Sequence, residues 1–259
     1  MPINLADYEQ GKSFNGDYDK ALAQLQKRLS HILVAYIVYR RRAIVVFEGT
    51  DAAGKSGIIQ RLTSGWDPRH FNVWPIGVPT QEEKEHHFLW RFWSKMPSAG
   101  KIAVFDRSWY GRVLVERVEH LATPEAWQRS YDEINEFESQ QREDGTNIVK
   151  LFCHITQETQ DDRFKRRLTH PWKHQKLGVP DFEARDKWDE YNAAFSDMFK
   201  QCSMHWAPWH VIDANNKKAA RITALTLIAD ELEKNLPTAP PPIDPEIVKL
   251  AKEKLDLDI

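Results

Sequence analysis

Cysteine is nearly absent: the 259-residue chain has two, Cys153 and Cys202. That is too few for a disulfide framework and suits a reducing compartment. An excess of either charge is missing as well. With 36 Lys+Arg against 38 Asp+Glu, the composition argues against a globally basic coat for nucleic acid, so any polyanion site has to be local. Long apolar runs are also lacking. The longest, Ile32 to Tyr39, stops at Arg40-Arg41-Arg42, far short of the roughly 20 residues that cross a bilayer. Met1 to Asp7 carries neither the basic nor the apolar region of a signal peptide. No repeat or low-complexity block interrupts residues 20–235. Together these absences lead us to expect a cytoplasmic globular protein with no membrane and no nucleic-acid partner. The length suffices for one large α/β domain or two small ones.

What is present is a regular alternation. Leu22, Leu25 and Leu29 recur at spacings of three and four, predicting a helix over 17–39. Short apolar runs at 43–48, 71–76, 102–106, 148–155 and 209–213 suit buried parallel strands. Helical patterns separate them. One starts at the Thr80/Glu83 capping box and runs through Phe88, Leu89, Phe92 and Trp93 to Pro97. Another has Thr123 as its cap, Pro124 at the first position, and Trp127, Tyr131, Ile134 and Phe137 on one face before Gly145. A last helix, 219–234, buries Ile222, Leu225, Ile228 and Leu232. Five strands alternating with helices predict an α/β fold, a mostly parallel five-stranded sheet covered on both faces. Residues 1–236 are expected to form the single domain and 237–259 a Pro-rich C-terminal extension.

Gly49-Thr50-Asp51-Ala52-Ala53-Gly54-Lys55-Ser56 fits the G-x-x-x-x-G-K-[ST] pattern, after a predicted strand and before a predicted helix. Glycines at both ends let the backbone curl so that its N–H groups converge on an anion, and the helix N-terminus adds partial positive charge. Lys55 can reach phosphate oxygens, and the Ser56 hydroxyl can ligate Mg²⁺. Asp51 is the odd member: a carboxylate in an anion cradle repels phosphate unless a cation stands between them, so it is expected to hold Mg²⁺ or face a phosphoryl acceptor. Asp106 ends the strand at 102–106, where open α/β sheets place ligands and P-loop enzymes place a metal-holding carboxylate. Arg107, Arg112 and Arg117 follow, able to clamp phosphoryl oxygens. Between Arg163 and Lys176 stand six Lys/Arg and no acid. That run falls between the fourth and fifth strands, where P-loop kinases carry a mobile lid, here at about 156–180. The histidines form no convincing metal constellation, and most of the ten tryptophans fall on apolar helix faces, which predicts core packing.

Several stretches, in order over roughly residues 20–235, resemble the polyphosphate kinase 2 family. They include Glu48 to Lys55, Asp67-Pro68-Arg69, Pro79-Thr80, Phe88-Leu89-Trp90-Arg91, Phe105 to Tyr110, Arg163-Phe164, Pro171-Trp172-Lys173, Trp188 to Tyr191 and Ala207-Pro208-Trp209. The resemblance implies a P-loop kinase fold with a helical basic lid. It also implies Mg²⁺-dependent, reversible phosphoryl transfer between inorganic polyphosphate and a nucleoside phosphate, and a homodimer or homotetramer. Adenine nucleotides are the expected partners, with guanine as an open alternative. By the same resemblance Asp51, Lys55, Asp106 and Arg107 are the catalytic residues. Gly49, Ala53, Gly54, Lys55, Ser56, Arg112, Arg117, Arg163, Arg167 and Lys173 are phosphate- and nucleotide-binding, the last three of the lid, while Asp51, Asp106 and Ser56 hold the metal. Gly111 to Arg117 looks most like the tandem-domain polyphosphate:AMP phosphotransferases. Departures are Gln175, where a lid tryptophan is expected, and Cys202-Ser203-Met204-His205, which replaces a Ser/Thr-rich turn. Two other readings stay open: an ATP-dependent nucleoside monophosphate kinase, and a non-catalytic nucleotide-gated binding module.

Overall fold

The computed structural model describes residues 3–234, 236–237 and 239–257. Its strands are β1 (Arg42–Gly49), β2 (Phe71–Pro75), β3 (Lys101–Asp106), β4 (Thr146–His154) and β5 (Trp209–Asp213). They form one parallel sheet in the order β2-β3-β1-β4-β5. The helices are α1 (Tyr18–Val38), α2 (Lys55–Thr63), α3 (Gln81–Glu85), α4 (Trp90–Trp93), α5 (Val115–Val118), α6 (Pro124–Glu143), α7 (Gln157–Leu168), α8 (Val179–Asp186), α9 (Trp188–Cys202), α10 (Lys217–Glu233) and α11 (Pro245–Leu255). None is long and apolar enough to cross a membrane among the described residues.

Alternation along the central strand splits the core in two. Val45 and Phe47 of β1 face α1, α2 and α10, packing with Leu29, Ile58, Leu62, Leu225 and Ile228. Ile44 and Val46 face the other way, toward Phe92 of α4, Ile134 and Phe137 of α6, and Phe195 and Met198 of α9. Both faces are covered, as a parallel sheet requires. The register sets Phe47 beside Asp106 and Gly49 beside Cys153, so the C-terminal edge of three neighbouring strands lies at one level.

The five expected strands form within two residues of their predicted ends. The helix expected from Thr80 to Pro97 does not form as one piece. Its capping box is present, Thr80 and Glu83 each accepting from the other's backbone N–H. The chain nevertheless turns extended at His86 (ψ 167°) and resumes only at Trp90. The paired histidines explain the break: His86 stacks on Trp90 at 4.3 Å, and His87 Nδ1 accepts from the Leu89 N–H. These local contacts compete with the helical ladder. Tryptophan also departs in part from the expectation. Trp66, Trp109 and Trp209 are core, but Trp90, Trp93 and Trp172 are 44, 48 and 83 % exposed.

Candidate functional site

The loop between β1 and α2 is built by sterics at its first residue. Gly49 has φ 134°, and a Cβ there would stand 2.1 Å from the Cys153 carbonyl oxygen of β4. Only glycine allows this crossing. The Thr50 N–H then donates to the same carbonyl at 3.1 Å. Lys55, the first residue of α2, is buried and folds back over the loop, its Nζ donating to the Gly49 oxygen at 2.7 Å and the Thr50 oxygen at 3.3 Å.

Asp106 comes from the neighbouring strand, and Ser56 Oγ donates to its Oδ2 at 3.2 Å. The loop and the second acidic strand end therefore share one site. Arg107 follows with φ 66°, its N–H donating to the Phe47 carbonyl oxygen at 3.0 Å. That bond turns its guanidinium toward the loop, where Nη2 donates to Asp51 Oδ1 at 2.8 Å. The cation that Asp51 needs in an anion cradle is thus supplied by the protein itself.

Behind this surface lies Glu48, which sequence reasoning passed over. It is 5 % exposed, and its Oε1 accepts from Ser108 Oγ at 2.8 Å. Burial pushes its carboxyl pKa up, against the opposing effects of the Ser108 hydroxyl, Lys55 and Arg107. Deeper still, Glu138 accepts from Trp109 Nε1 (3.0 Å) and the Tyr110 hydroxyl (2.8 Å), and pairs with Lys150 at 2.7 Å. Lys150 Nζ also meets the Tyr110 hydroxyl and the Cys202 carbonyl oxygen, each at 2.8 Å. Its three protons and the carboxylate are all satisfied, as full burial demands.

The remaining expected residues divide. Arg163 corrects its assignment to the lid. It is 5 % exposed, with Nη1 donating to the Ala52 and Ala53 oxygens and Nη2 to the Ala214 and Asn215 oxygens. A guanidinium holding four carbonyls braces the loop from below and is not free to swing with a lid. Burial, with Arg167 and Arg166 nearby, lowers its pKa to about 10, so it stays charged at neutral pH. Arg117 is likewise committed elsewhere, joined to Asp197 (2.7 Å) and the Tyr131 hydroxyl (3.0 Å) and lying 4.3 Å from the Trp127 ring centroid. Arg112 pairs with Glu116 at 3.2 Å and lies over Phe88. Arg167 and Lys173 do face the loop, across a cleft of about 450 Å³.

That cleft is lined by Ala52, Ala53 and Gly54 on one side and by eight basic residues: Arg61, Arg163, Arg166, Arg167, Lys173, Lys176, Lys217 and Arg221. No carboxylate lines it. None of the eight makes an ion pair among the described residues. Arg61, Lys217 and Arg221 carried no signal in the sequence, because only the packing of α2 against α10 brings them to the loop. Among the described residues no group of three or more His, Cys, Asp or Glu is placed to hold a metal ion. The Ser56 hydroxyl and Asp106 carboxylate nonetheless offer hard oxygen donors of the kind that hold Mg²⁺ together with substrate phosphates.

A P-loop on the central strand, a facing carboxylate and a basic cleft without ion pairs among the described residues define an α/β protein of the P-loop kinase-like class. The chain belongs to the polyphosphate kinase 2 family, whose model matches residues 12–240. It is 44 % identical over 216 residues to a polyphosphate:AMP phosphotransferase of Pseudomonas aeruginosa, covering 83 % of this chain and 44 % of that protein. It is 37 % identical over 221 residues to ADP-polyphosphate phosphotransferase 2 of Rhizobium meliloti, covering 85 % and 71 %. The crystal structure of polyphosphate kinase 2 from Arthrobacter aurescens superposes with a TM-score of 0.86 at 34 % identity, covering 96 % of this chain and 93 % of that one. The chain spans less than half the length of the polyphosphate:AMP phosphotransferases it matches.

Proposed function

We propose that this chain transfers a phosphoryl group between inorganic polyphosphate and AMP or ADP, with Mg²⁺ as the metal, and that the transfer runs in either direction. The observation that carries the reading is the cleft. Eight cations without a carboxylate repel one another in the empty protein, and a continuous polyanion relieves them all at once. A nucleotide donor would bring only three phosphates to a track that reaches two turns along α2. The relatives' names support the same class: one names AMP as partner and another ADP.

In this scheme residues 1–236 act as one catalytic domain, with the part of about 156–180 beyond the anchored Arg163 as its lid and Arg166, Arg167 and Lys173 closing over the polymer. The end of the chain reaches the loop, where the N-terminus of α2 and Lys55 take up charge on the terminal phosphoryl group. Lys55 exchanges its loop carbonyls for phosphate oxygens as it does so. Arg107, tethered to Asp51, stands ready to donate to the equatorial oxygens. Ser56 and Asp106, together with Asp51, would hold Mg²⁺, which would supply positive charge to offset that of the phosphate oxygens. Catalysis is then mostly alignment of donor and acceptor in line, with little covalent work for the protein.

The test is product analysis by chromatography with long-chain polyphosphate, no ATP, and each of AMP, ADP, GMP and GDP in turn. New di- or triphosphate is expected with an adenine nucleotide. Asp106→Asn should lose at least about a hundredfold in kcat while unfolding as the wild type does. Product only when ATP is added would make the protein an ordinary nucleoside monophosphate kinase. An unaltered Asp106→Asn variant would favour a binding module.

A further inference from the structure

Inside the phosphate loop, one turn carries alanine where its geometry favours glycine. The Ala53 N–H donates to the Thr50 carbonyl oxygen at 3.1 Å, closing a turn with Asp51 and Ala52 at its centre. Ala52 has φ 63°, whereas Asp51 before it has no positive φ. That pattern is a type II turn, which favours glycine at its third position because a side chain there is strained. Alanine is better suited to the type I turn, reached by flipping the single peptide between Asp51 and Ala52. Both turns keep the same closing hydrogen bond, so that bond does not choose between them.

What chooses is the carbonyl of the peptide that flips. The Asp51 oxygen accepts from Gln160 Nε2 of α7 at 3.1 Å. Gln160 is buried, and its Oε1 makes no hydrogen bond among the described residues, so the hydrogen bonding of its amide goes to the loop alone. One turn further along α7, Arg163 Nη1 donates to the next two carbonyls, of Ala52 and Ala53, at 2.9 Å each. Arg163 thereby fixes the peptides after Ala52 and leaves the one before it to Gln160. In a planar trans peptide the N–H points opposite to the C=O. With its oxygen drawn to α7, the Asp51–Ala52 peptide directs the Ala52 N–H to the other side. A flip would put a carbonyl oxygen, which repels phosphate, where that N–H stands.

We propose, resting on the reading of the loop as the seat of the terminal phosphoryl group, that Gln160 is a positioning residue for that loop. Its amide holds the left-handed turn at Ala52, so that bound phosphate meets the Ala52 N–H and not the Asp51 carbonyl oxygen. Left-handed backbone at a residue with a side chain persists only where its surroundings enforce it, and Gln160 is the enforcing contact. Because α7 also carries Arg166 and Arg167 to the cleft, the helix that grips the polymer shapes the loop that receives its end.

The experiment measures the dissociation constant of tripolyphosphate by calorimetry, without nucleotide, for the wild type, Gln160→Met, Ala52→Gly and the double variant, with the urea midpoint of each alongside. Methionine matches glutamine in length and cannot donate. Gln160→Leu is measured in parallel, so that a midpoint lowered by one side chain is separated from loss of the donor. Gln160→Met should weaken binding about two- to tenfold, the range that one lost hydrogen bond gives. Glycine adopts the left-handed conformation without strain, so adding Ala52→Gly to Gln160→Met should tighten binding again and return most of the loss. Were Gln160 only a support for the fold, glycine would loosen the loop further and the double variant would bind more weakly than Gln160→Met. That result, or unaltered binding in both Gln160 variants, would overturn the inference alone. A wild-type protein that does not bind tripolyphosphate would overturn the reading of the loop and this inference with it.

Discussion

Three residues at the centre of the site carry charge that only their neighbours make tolerable. Asp51 is held by Arg107, Lys55 by two loop carbonyls, and Glu48 by the Ser108 hydroxyl beneath them. Glu48 has a measurable consequence. Its carboxyl holds a proton more tightly in the folded protein than in the unfolded chain, because burial disfavours the anion. The folded state therefore binds more protons from the ordinary carboxyl range up to the raised value, and stability falls as pH rises through that window. Glu48→Gln keeps an acceptor for Ser108 and carries no charge at any pH. Urea unfolding at pH 5 and pH 8 should show the variant gaining on the wild type as pH rises. Parallel curves would mean that Lys55 and Arg107 cancel the desolvation of Glu48 completely.

At the scale of elements, the turn after β3 is tied to the core through one buried network. Trp109 and Tyr110 reach Glu138 on α6, which pairs with Lys150 on β4. Both charged side chains are fully buried. Lys150→Met leaves the Glu138 carboxylate unpaired in the core and should cost about 3–5 kcal/mol. Adding Glu138→Gln removes the stranded charge and should return a large part of that, as measured by urea unfolding; a double variant less stable than Lys150→Met would contradict it. The elements themselves were largely legible. Apolar runs gave the five strands, and the Thr80 and Thr123 caps both accept backbone N–H bonds where expected. The break at His86 was not, because it depends on side-chain contacts that periodicity does not register. The loop was legible down to single residues, since Gly49, Lys55 and Ser56 are constrained by local geometry. Arg163 was misplaced for the opposite reason. It lies in the same basic run as Arg166, Arg167 and Lys173, and only the fold turns its guanidinium onto the Ala52 and Ala214 carbonyls beside the cleft.

Taken whole, the molecule is nearly neutral yet gathers eight cations into one cleft beside the phosphate loop. Net charge did not reveal that asymmetry, since α2, α7 and α10 are distant in sequence and come together only in the folded chain. Such concentration of charge is costly unless a polyanion occupies it, which ties the shape of the protein to the chemistry of its donor. The most direct check is to neutralise the lid's share of it, replacing Arg166, Arg167 and Lys173 with Gln together and measuring KM for long-chain polyphosphate and for the nucleotide in the same preparation. The polymer value should rise by at least about tenfold, equivalent to about 1.4 kcal/mol, while the nucleotide value changes far less. Equal changes in both would contradict the assignment of the cleft to polyphosphate.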